Sequence, residues 1–257
     1  MNTIHIFCGP TIPQQVLISA FITSSVAENI IAQENIIILP PVAEGDVYRS
    51  VLKKPAIIGI IDGYFGNLPS VWHKEILFAM KQGIHVFGSS SMGALRAAEL
   101  HAFGMIGCGK IYQDYASGIL EDDDEVAVVH APAEVGYSSL SEAMVNIRYT
   151  LDKAVTNNVI TQKTHRMFID IAKKQYYPKR TYESVIKLFG DLGGDFDEIT
   201  KLQTWLQQNK IDQKRLDALE MVDTIKKLLQ KPLVTKSVGY YFEHTSFWDR
   251  SIKRHQP

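Results

Sequence analysis

The stretch "IHVFGSSSMGALRAAEL", residues 84–100, joins a short apolar run to a helical pattern through three consecutive serines. A buried run, a turn of small residues and then a 3.6-residue period predict a strand over 84–88 and a helix over 91–103. Parallel strands need a crossover connection, and a helix usually provides it. This corner therefore favours an α/β fold.

The same alternation extends on both sides of this corner. Short apolar, β-branched runs predict strands at 3–9, 36–39, 56–63, 84–88 and 125–131. Helical stretches lie between the first four and after the fourth, at roughly 13–32, 45–53, 69–82 and 91–103. The pattern predicts a parallel β-sheet with flanking helices, a Rossmann-like three-layer fold.

After residue 138 the strand signals stop, and four or five helical segments begin near Ser, Thr or Asp. We predict an α/β core domain over 1–137 and a C-terminal all-α module over 138–257. Charge supports two modules, because residues 1–150 carry 8 Lys/Arg and 15 Asp/Glu, against 19 and 13 in 151–257. The end of the chain is rich in aromatic residues, which predicts that it docks on the protein's own core.

Composition excludes several classes of protein. A net charge of −1 argues against general nucleic-acid binding. No apolar stretch approaches the roughly 18 residues of a membrane-spanning helix. Two cysteines, Cys8 and Cys108, form neither a disulfide framework nor a metal-ligand spacing, and no secretory signal opens the chain. We expect a cytoplasmic protein that binds no metal, membrane or nucleic acid.

Ser91 lies at the centre of "SSSMG", which is close to the nucleophile elbow G-x-S-x-G. Ser89 occupies the first glycine position and Gly93 the second. In that motif the Ser91 hydroxyl would lie at the carboxyl edge of the sheet, and the backbone N–H groups of Met92 and Gly93 would be oxyanion donors. The serines could instead cap the helix or bind an anion at its N-terminus.

A nucleophilic serine needs a base within hydrogen-bond reach. The segment after strand 56–63 brings polar side chains to the same edge of the sheet: Asp62, Tyr64, His73 and Lys74. If strands 56–63 and 84–88 are neighbours, His73 or Lys74 could reach Ser91. Gly9, in the turn after the first strand, could add a backbone contact. The alternative is that His73 and Lys74 are surface residues of an amphipathic helix.

Five consecutive acids, residues 121–125, could suggest a metal site. Consecutive carboxylates point in different directions, so we predict a solvated turn.

Several segments together resemble the TfuA-like family over about residues 3–150: "PPVAEGDVYRSV", "IGIIDGYF", "PSVWHKEIL", "GIHVFGSSSMGALRAAEL", "GILEDDDEVAVVHAPAE" and "LSEAMVNIR". The resemblance implies a role beside a YcaO-type enzyme in peptide backbone thioamidation. It also implies hydrolysis of the C-terminal thiocarboxylate of a ThiS-like sulfur carrier protein, with release of sulfide.

The resemblance implies a hydrolase-like Ser–Lys pair, and we expect no cofactor. The serine best matches Ser91 and the lysine best matches Lys74. The thioamidated substrate would be a ribosomal peptide or a protein. The alternative to a hydrolase is a non-catalytic scaffold that docks the YcaO-type enzyme and its substrate.

Overall fold

The structure is a computed structural model that describes residues 3–22, 32–66 and 68–255. Its contacts divide the chain into two compact units. The first unit combines Met1–Glu121 with Arg215–Pro257, and the second is Asp122–Lys214. The predicted domain boundary after residue 137 therefore falls inside the second unit, and the end of the chain belongs to the first.

The first unit contains a five-stranded sheet in the order β2-β1-β3-β4-β5. Every neighbouring pair of strands is parallel, as predicted. The strands are β1 (Ile4–Phe7), β2 (Ile36–Leu39), β3 (Ile57–Ile60), β4 (His85–Ser89) and β5 (Ile106–Cys108). Strand order reverses between β1 and β3, and ligands bind open α/β sheets at such a point, outside the carboxyl ends of the strands.

Helices cover both faces of this sheet, which confirms the three-layer α/β prediction. They are α1 (Gln14–Ile22), α2 (Asp46–Leu52), α3 (His73–Lys81), α4 (Met92–Leu100), α5 (Lys110–Ala116), α10 (Gln213–Leu229) and α11 (Ser246–His255). The part of the first predicted helix that falls on residues 23–31 lies outside the described residues.

Alternation along the strands creates two apolar cores. Ile58 and Ile60 of β3 pack on one face with α2, α3 and α4. Ile57 of β3 packs on the other face with α1 and with Met221 and Ile225 of α10. Successive side chains of a strand point to opposite faces, so a sheet buried on both sides needs continuous apolar runs. A C-terminal helix thus completes the core of the α/β unit.

The prediction of a strand at 125–131 is wrong. The fifth strand is Ile106–Cys108, which pairs with β4, and residues 125–131 form one isolated antiparallel bridge between His130 and Ser139. The true β5 has three residues, with Gly107 at its centre and Gly109 after it, and gives no strand signal of its own. The apolar residues at 126–127 are buried in the second unit instead.

The second unit is all-α, as predicted for the C-terminal module. Its helices are α6 (Met144–Thr156), α7 (Gln162–Lys174), α8 (Tyr182–Asp191) and α9 (Phe196–Asn209). Side chains of Thr161, Thr181 and Asp195 accept hydrogen bonds from the backbone of the first turns of α7, α8 and α9. Phe168 and Phe189 stack at its core with ring centroids 4.3 Å apart.

The acidic run before α6 is solvated only in part: Glu121, Asp122 and Asp123 are exposed, as predicted, whereas Asp124 and Glu125 are ion-paired. Glu125 binds Arg148 at 2.8 Å, and Asp124 binds Arg180 at 2.7 Å and also Lys173. Arg180 is fully buried. Buried charges are stable when they are paired, so these carboxylates join the start of the second unit to its helices.

The C-terminal segment, defined here as residues 240–255, packs on the first unit. Trp248 and Phe242 form a buried aromatic cluster with Tyr48 and Phe78, which confirms the predicted docking. Within the described part of the chain, no helix is both long and apolar enough to cross a bilayer.

Candidate active site

The three serines form a strained turn between β4 and α4. β4 ends at Ser89, α4 begins at Met92, and the Ser91 N–H donates to the Ser89 carbonyl at 2.7 Å. Ser90 lies between them with φ +67°, in the left-handed region that non-glycine residues rarely adopt. A turn closed from residue i to i+2 around a positive φ is strained. Such strain is typical of functional sites, including the nucleophile elbow.

Two glycines allow the close approach that this turn requires. A Cβ on Gly88 would lie 2.1 Å from the Gly93 carbonyl oxygen. A Cβ on Gly93 would lie 1.8 Å from the carbonyl oxygen of Ile60 in β3. Strand and helix therefore meet backbone to backbone, and Gly88-Ser89-Ser90 supplies the G-x-S half of an elbow centred on Ser90.

Capping does not explain the third serine. Ser91 occupies the N-cap position of α4, but its side chain makes no capping hydrogen bond. The Ser89 and Ser90 hydroxyls lie 3.1 Å apart, within hydrogen-bond distance of each other. The hydroxyls of this turn are therefore not used to begin the helix.

The two backbone groups predicted as oxyanion donors differ. The Gly93 N–H donates to the Ile61 carbonyl at 3.3 Å. No described residue accepts a bond from the Met92 N–H, which lies at the positive end of α4. Of these two N–H groups, only that of Met92 is left without an acceptor among the described residues.

The serines are closed off from solvent in this structure. Ser89 and Ser90 are 0% exposed and Ser91 is 2% exposed. A substrate reaches these hydroxyls only after a local rearrangement.

Asp62 organises the neighbouring edge at the end of β3. Its carboxylate accepts bonds from the backbone N–H of Gly9 at 2.9 Å and of Thr11 at 3.0 Å, and from the Thr11 hydroxyl at 2.6 Å. It is 1% exposed and links the ends of β1 and β3, where the strand order reverses. Asp62 and Gly9 are therefore brought together, as a clamp on the turn after β1.

Tyr64 lies in the half-buried loop after β3. Its backbone N–H donates to the Val42 carbonyl at 3.1 Å, and its own carbonyl accepts a bond from the Ser70 hydroxyl at 3.3 Å. These bonds fix the path of the loop that leads to α3.

Lys74 lies in the first turn of α3, and its ammonium faces the C-terminal segment. Nζ donates to the Thr245 hydroxyl at 3.2 Å and lies 5.3 Å from the centroid of the Phe242 ring. β3 and β4 are neighbours, as the predicted Ser–Lys geometry requires. The hydroxyl that Lys74 contacts in this conformation is nevertheless Thr245, and its pairing with Ser91 stays a prediction.

His73 is exposed and belongs to a different group of charges. Its Nε2 lies 2.7 Å from Glu99, which also accepts a bond from Arg96 at 2.7 Å. Burial raises the pKa of Glu99, but the bonds from His73 and Arg96 outweigh that effect and hold it below its ordinary value. His73 therefore ties α3 to α4 in this structure.

Sequence reasoning missed Glu75, whose side chain is 1% exposed. It accepts backbone bonds from Gly45 at 2.8 Å and Tyr48 at 3.2 Å. Burial raises its pKa above the ordinary value, although these donors oppose the shift. A glutamate in a first helical turn is expected to bond the start of its own helix, as Glu75 does with the Trp72 N–H at 3.4 Å, and nothing local signals its partners at the start of α2.

Among the described side chains, no group of His, Cys, Asp and Glu is arranged to hold a metal ion.

Comparison with known families identifies the segment that contains this site. Residues 62–181 match the family described as TfuA-like protein. This segment belongs to the TfuA-like family. The TfuA-like match begins at Asp62, includes Lys74 and the serine turn, and confirms the predicted family. A comparison with curated proteins gave no match.

Proposed function

We propose that the chain acts with a YcaO-type enzyme in peptide thioamidation, the role that the TfuA-like family suggests. Its part in that process is to hydrolyse the C-terminal thiocarboxylate of a ThiS-like sulfur carrier. The observation that carries this proposal is the strained Ser90 turn, which lies within the matched segment. A strained hydroxyl at a strand–helix corner is the geometry of an acyl-transfer nucleophile.

The reaction needs two acyl transfers. A serine oxygen attacks the thiocarboxylate carbon, the C–S bond breaks, and hydrosulfide leaves with the serine proton. Water then attacks the ester, which yields the carrier carboxylate, a proton and the free serine. Hydrosulfide is a better leaving group than an amine, so breaking the C–S bond of the intermediate is easier than breaking a C–N bond.

Ser90 is the better-placed nucleophile, because the strained residue of an elbow carries the reacting hydroxyl. Ser91 is the residue that motif spacing predicts. For either serine, the Met92 N–H is the donor for the tetrahedral oxyanion. Donors of this kind contribute several kcal/mol, about 3 to 4 in measured cases.

Lys74 is the proposed activating base. Its four-carbon side chain leaves Thr245 and turns towards the serine turn when the substrate tail enters. A lysine amine can accept a proton when it is desolvated and neutral.

The test is sulfide release from thiocarboxylated carrier by wild type and by single variants. Ser90→Ala is expected to lower release by roughly 10³-fold or more, the scale of nucleophile removal. Lys74→Ala is expected to lower it strongly, whereas the matched control Lys81→Ala, on the same helix, retains wild-type release. Loss in Ser91→Ala with retention in Ser90→Ala assigns the nucleophile to Ser91. Wild-type release in both serine variants rules out Ser90 and Ser91 as the nucleophile, and no release by the wild type refutes the hydrolase.

Burial of all three serines favours a second candidate, a non-catalytic scaffold for the YcaO-type enzyme and its substrate. Added free sulfide distinguishes the two functions, because it can replace the product of a hydrolase but not the action of a scaffold. Added sulfide bypasses a hydrolase, so thioamidation then proceeds without this protein. A scaffold remains necessary at every sulfide concentration, and Ser90→Ala leaves its action intact.

A further inference from the structure

The C-terminal segment covers the outer side of α3. The Tyr240 hydroxyl donates to the Leu77 carbonyl at 2.6 Å, and Phe242 and Trp248 pack on the Phe78 ring. Trp248 is 1% exposed. A segment anchored by a buried tryptophan holds a defined position on α3, so its contacts with Lys74 are specific.

One oxygen connects the position of this segment to Lys74. The Thr245 hydroxyl accepts a bond from the Trp248 N–H at 3.2 Å, which begins α11, and a second from Lys74 Nζ at 3.2 Å. The Phe242 ring adds a second contact to the same ammonium, since a cation is attracted to an aromatic face within about 6 Å.

We propose that Thr245 is a positioning residue that keeps the Lys74 amine on the C-terminal segment. Release of this amine from Thr245 and Phe242 makes it available to the serine turn. The inference rests on the proposed function, in which Lys74 activates the nucleophile. It adds that residues more than 160 positions along the chain decide when this activation occurs.

Amine reactivity tests the inference without any substrate. The full-length protein is acetylated briefly with sulfo-N-hydroxysuccinimide acetate, and mass spectrometry measures labelling of Lys74 relative to Lys81. Lys81 is a suitable reference, because it also binds the C-terminal segment, through the Tyr240 carbonyl at 3.0 Å. Thr245→Val is expected to raise the Lys74:Lys81 ratio roughly three- to tenfold, the size of one net hydrogen bond.

Three further variants control for loosening of the segment. Thr245→Ser keeps the hydroxyl and retains the wild-type ratio. Tyr240→Phe removes a different bond between the segment and α3, and also leaves the ratio unchanged. Phe242→Leu removes the ring and raises the ratio. Equal ratios in Thr245→Val and wild type, or equal increases in Thr245→Val and Tyr240→Phe, would overturn the inference.

Sulfide release separates this inference from the proposed function. If Thr245→Val raises both labelling and release, the segment controls the reaction. Raised labelling with no release by any variant, wild type included, leaves Thr245 as the residue that positions Lys74 and refutes the hydrolase. Raised labelling with wild-type release unchanged by Thr245→Val refutes control by the segment and leaves the hydrolase standing.

Discussion

Replacement of Asp62 tests the clamp at the point where strand order reverses. Asp62→Ala leaves three donors without an acceptor in a buried place: the N–H groups of Gly9 and Thr11 and the Thr11 hydroxyl. A hydrogen bond to a charged group contributes about 1.5–3 kcal/mol, and bonds to one carboxylate are not additive. We expect Asp62→Ala to lower the free energy of unfolding by about 4 kcal/mol.

Asp62→Asn is the matched variant. Its carbonyl oxygen can accept from both N–H groups, and its amide can donate to the Thr11 hydroxyl, which turns to accept. Only the charge is lost, so we expect a cost of about 1 to 2 kcal/mol. Urea unfolding of both variants measures the difference in free energy of unfolding, from the shift of the denaturation midpoint at a constant m-value. Equal costs, or a cost under about 1 kcal/mol for Asp62→Ala, would show that the clamp does not hold the turn.

Three other changes give distinct signatures. Asp124→Asn is expected to lower the free energy of unfolding by about 3 kcal/mol at pH 7, because it leaves buried Arg180 without its carboxylate. Burial raises the pKa of Asp124, but the bonds from Lys173 and Arg180 lower it more, so the pKa lies below its ordinary value. The difference between variant and wild type in urea unfolding should therefore shrink as the pH falls below about 4. Trp248→Ala is expected to cost about 3 to 5 kcal/mol by thermal unfolding. Gly88→Ala should prevent stable folding, judged by circular dichroism, since its Cβ meets backbone.

Each of these has a control or a contrary result. A cost for Asp124→Asn that stays constant down to pH 2 contradicts the ion pair. Phe247→Ala removes a ring that is 60% exposed and should lower the free energy of unfolding by less than about 1 kcal/mol. An equally small loss for Trp248→Ala would show that Trp248 does not anchor the C-terminal segment. Gly239→Ala adds a Cβ with no atom within 4 Å and should leave folding unchanged. A Gly88→Ala protein that folds stably would contradict the close backbone contact between β4 and α4.

The first four strands were predictable because each is a continuous apolar run; β1, β3 and β4 are buried on both faces, whereas β2 lies at the sheet edge with Ile37 exposed. β5 was not, since three residues at a sheet edge carry little pattern. The run at 125–131 has strand composition, but it belongs to the second unit, which contributes no strand to the sheet. Hydrophobic periodicity indicates that a segment is buried, but it does not indicate which core the segment packs against.

The candidate site also combines features that the sequence predicts with features that only the structure shows. The sequence places Ser89, Ser90 and Ser91 at a strand–helix corner, but spacing alone centres the elbow on Ser91. The positive φ of Ser90 is the observation from which we propose an elbow centred one residue earlier. Lys74 lies on the predicted helix, yet its partner Thr245 is distant in sequence, and no local pattern encodes such a contact.

The division of the first unit by the second has a consequence for synthesis on the ribosome. Residues of β1 and β3 emerge early, but the part of α10 that covers one face of their sheet is made only after the whole second unit. At ordinary elongation rates that interval is roughly 5 to 20 seconds. During that interval the face of the nascent sheet that α10 covers lacks Met221 and Ile225, so the core of the first unit is completed only after the helical unit has been made.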